Sequence, residues 1–259
     1  MKERPMRRTR VSATAIACAL LTALPSTAGA AIDLDDPNLF GPGEAWDRPA
    51  DLERGDAGPW VMRLQRRLAA AGFRPGRIDG VFGQATLGAV YAFQKITDLE
   101  RDGIVHDEDW ALLEEVVLPE LPPVADQPDR VEVDLEAQVL YLVRDQRVQT
   151  VLPISSGNGE LYQGRGGRLA RANTPEGSYT FNRHIDGWRI SYLGGLYRPY
   201  YFRGGYAIHG SGSVPPFPAS HGCVRVEIHD MDFLVTQVAI GMPVYVYGID
   251  VSRADLFDT

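Results

Sequence analysis

Between residues 58 and 117 the apolar positions recur with a helical period. After Pro59, suited to the first position of a helix, Val61, Leu64, Leu68 and Ala71 fall on one face and Gly72 supplies a stop. The turn 75–80 (Pro-Gly-Arg-Ile-Asp-Gly) leads to a second helix from about Gln84, with Leu87, Val90 and Phe93 on one side. A third is expected after Asp107 as its cap, carrying Trp110, Leu113 and Val116. Three short helices in about 60 residues make a small all-α domain with a core of marginal size.

Beyond a connector stiffened by Pro119, Pro122, Pro123 and Pro128 the period changes. Val131, Val133 and Leu135 alternate, Glu136-Ala137-Gln138 turns the chain, and strands are expected over 139–143, 148–154, 178–183, 205–209 and 243–247. One helix interrupts them, with Asp230 as its cap, Phe233, Leu234 and Val238 on one face and Gly241 as its stop. The expected fold class is multidomain α+β: a three-helix module followed by a mostly β sandwich or open barrel with one packed helix.

Residues 1–30 combine a basic start (Lys2, Arg4, Arg7, Arg8, Arg10), an apolar run over 11–25 and Ala28-Gly29-Ala30, the layout of a secretory signal peptide. Its removal changes the net charge from -8 to -12, which disfavours nucleic acid as a partner, and no later run is apolar enough to span a bilayer. Export to a periplasm or an extracellular wall is expected. The domains read as signal peptide 1–30, acidic spacer 31–54, helical module 55–117, Pro-rich linker 118–129, β domain 130–248 and tail 249–259. Of the two cysteines only Cys223 lies beyond the signal, alone in an oxidising compartment where structural cysteines come in pairs.

A lone exported thiol points to chemistry when bases stand near it. A thiol of ordinary pKa is a few per cent thiolate at neutral pH and needs a base or a positive field. His209 ends an expected strand, and a Pro-rich loop over 214–218 can fold back to Cys223; His221 is two residues away. Gly222 lets backbone N–H groups approach a carbonyl, as an oxyanion hole requires. A zinc site on His209, His221 and Cys223 lacks a fourth ligand at recognisable spacing, so no metal or cofactor is expected. His106, His184 and His229 show no partner pattern and read as surface residues. Between Glu160 and Glu227 eight arginines face four acids, an inversion of the overall charge that suits a substrate rich in carboxylates.

Two resemblances follow from these residues. Val61, Leu64-Gln65, Leu68, Gly72, Asp79-Gly80-Val81-Phe82-Gly83, Thr86, Ala89-Val90, Phe93-Gln94, Asp102-Gly103-Ile104-Val105 and Trp110 resemble the peptidoglycan-binding three-helix module of bacterial wall enzymes, with Asp98 and His106 where that family favours glycine. Ala207-Ile208-His209-Gly210 followed by Ser220-His221-Gly222-Cys223-Val224-Arg225 is similar to the L,D-transpeptidase (YkuD) catalytic domain. Val133-Asp134-Leu135, Gln138-Val139-Leu140-Tyr141, Thr174-Pro175-Glu176-Gly177 and Gly241-x-Pro-Val-x-Val extend the similarity over about 129–248.

The second resemblance implies Cys223 as nucleophile and His209 as proton acceptor and donor. It also implies N–H groups of His221, Gly222 and Cys223 at the oxyanion, Ser220, His221, Gly222 and Gly210 shaping the pocket, and Arg225 and Tyr206 binding substrate. The implied partners are peptidoglycan stem peptides and glycan, with carbapenem-type β-lactams as covalent inhibitors. Stem cross-linking, hydrolysis by an L,D-carboxypeptidase and a wall-binding protein with a retired enzyme domain all remain open on sequence. No carboxylate is evident to orient His209, so a backbone carbonyl is the expected partner. One or both of the Gly-rich stretch 157–171 and an aromatic loop over 186–204 are expected to form a lid.

Overall fold

The computed structural model describes residues 51–257; the segments read as a signal peptide and most of the acidic spacer lie outside the described residues. Three helices come first, α1 (Pro59–Ala70), α2 (Gln84–Ile96) and α3 (Asp107–Glu115). Leu52, ahead of the first helix, is buried and pairs with Val105, so the helical core draws in chain before Pro59. Asp107 is the first helical residue rather than the cap. His106 occupies that position, and its backbone N–H donates to Asp109 at 2.7 Å.

Two glutamines account for much of this module's sequence. Gln65 Oε1 accepts the N–H groups of Asp79 and Gly80, and its Nε2 donates to the Val81 carbonyl and Thr86 Oγ1. Gln94 does the same for the second turn, accepting from Gly103 and donating to Asp102 and the Ile104 carbonyl. Both are buried, and each satisfies the backbone of an Asp-Gly turn that no helix or strand would otherwise serve.

The β part holds β1 (Arg130–Asp134), β2 (Val139–Arg144), β3 (Arg147–Pro153), β4 (Leu161–Gln163), β5 (Leu169–Arg171), β6 (Gly177–Thr180), β7 (Arg183–His184), β8 (Trp188–Ser191), β9 (Gly194–Arg203), β10 (Tyr206–Ser211), β11 (Val224–Glu227) and β12 (Pro243–Tyr247). Helix α4 (Ile228–Gln237) follows β11, and a short α5 (Arg253–Phe257) ends the described chain. Asp230 lies inside α4, which starts three residues earlier than the capping pattern indicates. One sheet has the order β3-β2-β1-β12-β6 and the other β11-β10-β9-β7, with β8 on β9; β4 and β5 form a separate hairpin. The architecture is a sandwich. Val131, Val133, Leu140, Leu142 and Leu152 of the first sheet meet Tyr200, Phe202, Ile208, Val224 and Val226 of the second, and Met231 and Leu234 of α4 join them.

The central strands of the first sheet are buried on both faces. Val139, Tyr141, Val143 and Val151 point the other way and share one hydrophobic cluster with Leu64, Leu68, Phe73, Val90 and Phe93 of the helices. That is why 139–143 is an unbroken apolar run. Polar contacts stitch the same seam: Thr150 Oγ1 donates to the Gly72 carbonyl (2.6 Å) and Gln84 Nε2 to Glu227 (2.9 Å). The proline-rich segment is also held, since Arg130 and Arg253 donate to the Pro122 carbonyl while Val124 is buried.

Candidate active site

Strands β10 and β11 run parallel and adjacent, joined by residues 212–223, about the shortest crossover a parallel pair permits. Ile208 pairs with Val224 and His209 with Arg225. Because side chains alternate, Ile208, Val224 and Val226 enter the core while His209, Cys223 and Arg225 emerge together on the opposite face. There they line one cavity of about 550 Å³ with Tyr206, Ser220 and His221. The two residues separated by a long loop thus become neighbours through sheet pairing rather than through the prolines of the loop alone.

His209 is 5% exposed, and its Nδ1 lies 2.9 Å from the Gly210 carbonyl. A carbonyl can only accept, so Nδ1 carries the proton and Nε2 keeps its lone pair. The expected backbone partner is therefore present. Burial, with help from the Arg225 charge, lowers the His209 pKa to about 4. Burial also pushes the Cys223 thiol up from its ordinary value, against the opposing pull of an Ala207 backbone hydrogen bond and the Arg225 guanidinium. The thiol is directed to the Gly205 carbonyl, 3.8 Å away. The resting pair is consequently neutral thiol and neutral imidazole.

The loop before Cys223 is braced from inside. Ser220 Oγ donates to the Cys223 carbonyl (2.5 Å) and accepts the Gly222 N–H (3.0 Å). In this structure the Gly222 N–H is thus engaged by Ser220. Gly222 is needed on steric grounds: its φ is 120°, and a Cβ there would stand 2.7 Å from both the Asn173 carbonyl oxygen and the Tyr206 ring. Gly210 is tightly packed as well. A Cβ on it would meet Tyr197 at 2.8 Å and Met231 at 3.1 Å, so it serves close packing beneath β9 and α4 while its carbonyl orients His209.

The stretch 186–204 is not a loop but mainly the hairpin β8–β9, whose turn residues Tyr192 and Leu193 reach the cavity while Tyr200 and Phe202 pack in the core. From the other stretch, 157–171, Tyr162 reaches the cavity and sets its ring edge-on to His221, centroids 4.8 Å apart. Of the arginines, Arg183, Arg189 and Arg225 line the cavity, and Arg183 lies 3.7 Å over the Tyr201 ring.

Three histidines expected at the surface have partners. His106 bridges Asp51 (2.7 Å) and Asp102 (2.9 Å), His184 stacks on Tyr200 at 4.0 Å, and His229 Nε2 lies 3.2 Å from buried Asp230. Asp102 and Asp230 are near in sequence, whereas Asp51 and Tyr200 come from other segments. Among the described residues no helix is long and apolar enough to cross a membrane.

Comparison with known proteins agrees with this geometry. The L,D-transpeptidase catalytic domain (YkuD) model matches residues 128–246, and a peptidoglycan binding domain model matches residues 57–113. The crystal structure of the L,D-transpeptidase (residues 123–326) from Xylanimonas cellulosilytica is 43% identical, with a TM-score of 0.73 over 78% of this chain and 100% of that one. An uncharacterized protein of Kitasatospora aureofaciens is 37% identical over 90 residues, 34% of this chain and 75% of its own. The spore cortex-lytic enzyme of Bacillus cereus is 43% identical over 53 residues, 20% of each chain. With a catalytic-domain model fitted to its β part and a solved transpeptidase matched along its whole length, the chain belongs to the L,D-transpeptidase (YkuD) family and is an enzyme of that family's acyl transfer on peptidoglycan stem peptides, with a peptidoglycan-binding helical region in front.

Proposed function

We propose that the protein is exported to the periplasm or extracellular wall and forms 3,3 cross-links through Cys223. In the first half-reaction the Cys223 proton passes to His209 Nε2 as the sulfur attacks the carbonyl between the L-centre of the diamino acid and D-alanine. The C–N bond breaks, His209 returns the proton to the departing D-alanine amine, and a thioester remains. An acceptor amine then attacks the thioester, giving its proton to His209, which restores the thiol. With the Gly222 N–H engaged, the N–H groups of His221 and Cys223 are the donors assigned to the oxyanion. Arg225 and Tyr206 are assigned to the acidic stem, with Arg183 and Arg189 adding positive charge to the same cavity.

The observation that carries this reading is the fixed tautomer of His209: with Nδ1 bonded to the Gly210 carbonyl, a basic Nε2 is left in the cavity that holds Cys223. The test is incubation of purified chain with a disaccharide tetrapeptide, followed by mass spectrometry. A dimer with loss of D-alanine, abolished in Cys223→Ala, is the expected result. A tripeptide alone assigns the enzyme to hydrolysis, and no product together with no carbapenem adduct on Cys223 overturns the reading.

A further inference from the structure

Lys95 belongs to the helical region, yet its ammonium ends inside the catalytic part. It is 4% exposed, and Nζ donates to two carbonyls, those of Gln138 and Ile154, each at 3.0 Å. Burial, with the Arg101 charge second, pushes its pKa down to about 7, so this placement is held against a desolvation cost. Nothing in the acyl transfer uses Lys95, and neither carbonyl belongs to the cavity around Cys223.

Both carbonyls, however, bound the scaffold on which the catalytic loop rests. Ile154 is followed by Ser155, which exchanges two backbone hydrogen bonds of 3.0 Å with Arg225. Next comes Ser156, whose carbonyl accepts the N–H groups of Ala219 (3.0 Å) and Ser220 (2.8 Å). The Gln138 side chain closes the circuit, accepting the Ser156 N–H at 3.0 Å and donating to Ser156 Oγ at 2.7 Å. Ser220 in turn holds Gly222 and the Cys223 carbonyl. A continuous path of hydrogen bonds and the backbone of residues 154–156 therefore runs from α2 to the nucleophile's own backbone.

We infer that Lys95 is a positioning residue for Cys223, through which the docked helical region holds the Ser220–Cys223 loop in register with His209. The helices then contribute to turnover directly and not only by keeping the enzyme on its substrate. This inference rests on Cys223 being the nucleophile. Displacements of about 1 Å in a catalytic group can cost on the order of 100-fold in rate, which sets the scale expected when the Ile154 carbonyl loses its donor and the Gln138 carbonyl is left with the Ile154 N–H alone.

The test compares Lys95→Met with Thr150→Val in the full chain. Methionine fills the same volume and removes a desolvated charge, whereas valine removes the seam hydrogen bond to Gly72, which does not lead to the loop. The rate of Cys223 acylation by a carbapenem, its concentration dependence and the melting temperature are measured for each. The expected result is a 10- to 100-fold lower limiting acylation rate in Lys95→Met, on the scale of misplaced catalytic groups, with half-saturation unchanged within about twofold; Thr150→Val acylates as wild type. Equal acylation in both variants, or losses that merely track melting temperature, overturns the inference. If Lys95→Met does not fold, Lys95→Gln, which keeps two shorter donors, takes its place under the same criteria. A wild type that forms no adduct defeats the nucleophile assignment instead, so the two failures are distinguishable.

Discussion

The neutral state of the Cys223–His209 pair makes a sharp prediction about thiol reactivity. The ordinary thiol value of 9.0 is raised by burial, and the imidazole sits near 4. Burial thus works against proton transfer from both sides in the resting enzyme, raising the thiol and lowering the imidazole. The thiolate is then a minor species at neutral pH, below the few per cent of an ordinary thiol. Alkylation by iodoacetamide, followed by intact mass, reports that fraction because Cys223 is the one cysteine past residue 30. The rate is expected to climb about tenfold per pH unit from pH 5 to 8.5, as for an unassisted thiol, and to be the same in His209→Ala. Carbapenem acylation of the same sulfur should instead fall by roughly 10²- to 10⁴-fold in that variant, because a general base is needed only when a carbonyl is attacked. A flat alkylation rate between pH 5 and 8 would reveal a preformed thiolate–imidazolium pair and refute the argument.

Other expected outcomes follow from the same contacts. Gly222→Ala forces a side chain onto a φ of 120° and against the Asn173 carbonyl, a backbone atom that cannot rotate away; strain of about 1–3 kcal/mol should appear as a lower urea midpoint together with near loss of acylation. Ser220→Ala removes the hydroxyl that ties Gly222 to the Cys223 carbonyl, and acylation should slow about tenfold at unchanged half-saturation, matching roughly 1–2 kcal/mol of lost hydrogen bonding. His209, neutral and buried, has a folded pKa below its unfolded 6.5, so its contribution is present above pH 6.5 and lost as pH falls through about 4. Denaturation midpoints should drop more steeply over that window in wild type than in His209→Gln, by up to about 3 kcal/mol. His106 is opposite in sign: two carboxylates raise its pKa to about 9, and stability gained below pH 6.5 should fade as pH rises through 9, a dependence that His106→Ala abolishes in thermal melts.

Which of these features the sequence displays depends on how local their causes are. The helices of the front region follow from a 3.6-residue apolar period, and strands β1, β2 and β12 of the first sheet from runs whose β-branched residues face a core. The His209 and Cys223 pairing is legible because two short motifs flank it. Strand β9 is not, since Tyr197, Tyr200, Tyr201 and Phe202 divide between the core, α4 and the cavity wall, and an aromatic run facing several partners has no period. Helix starts shift for a similar reason: Asp107 and Asp230 both look like caps, yet the structure puts them one and three positions inside, where the backbone is fixed by His106–Asp109 and by the end of β11.

Least visible of all is the seam between the helices and the first sheet. Val139, Tyr141, Val143 and Val151 read as strand core whichever face they serve, and a proline-rich segment ahead of them reads as a spacer between independent bodies. Yet an apolar run without alternation already contains the information that the sheet is covered on both sides. Leu140, Leu142 and Leu152 are consumed by the second sheet, so the cover for the opposite face has to come from elsewhere in the chain, and the helices supply it. Burying that face is what brings Lys95 within reach of Gln138 and Ile154. The lone lysine past residue 2 is thus not an isolated oddity but a consequence of packing. A cation at the end of a long stem, leaving an apolar seam, can satisfy the Ile154 carbonyl and add a second donor to the Gln138 carbonyl, which already accepts the Ile154 N–H.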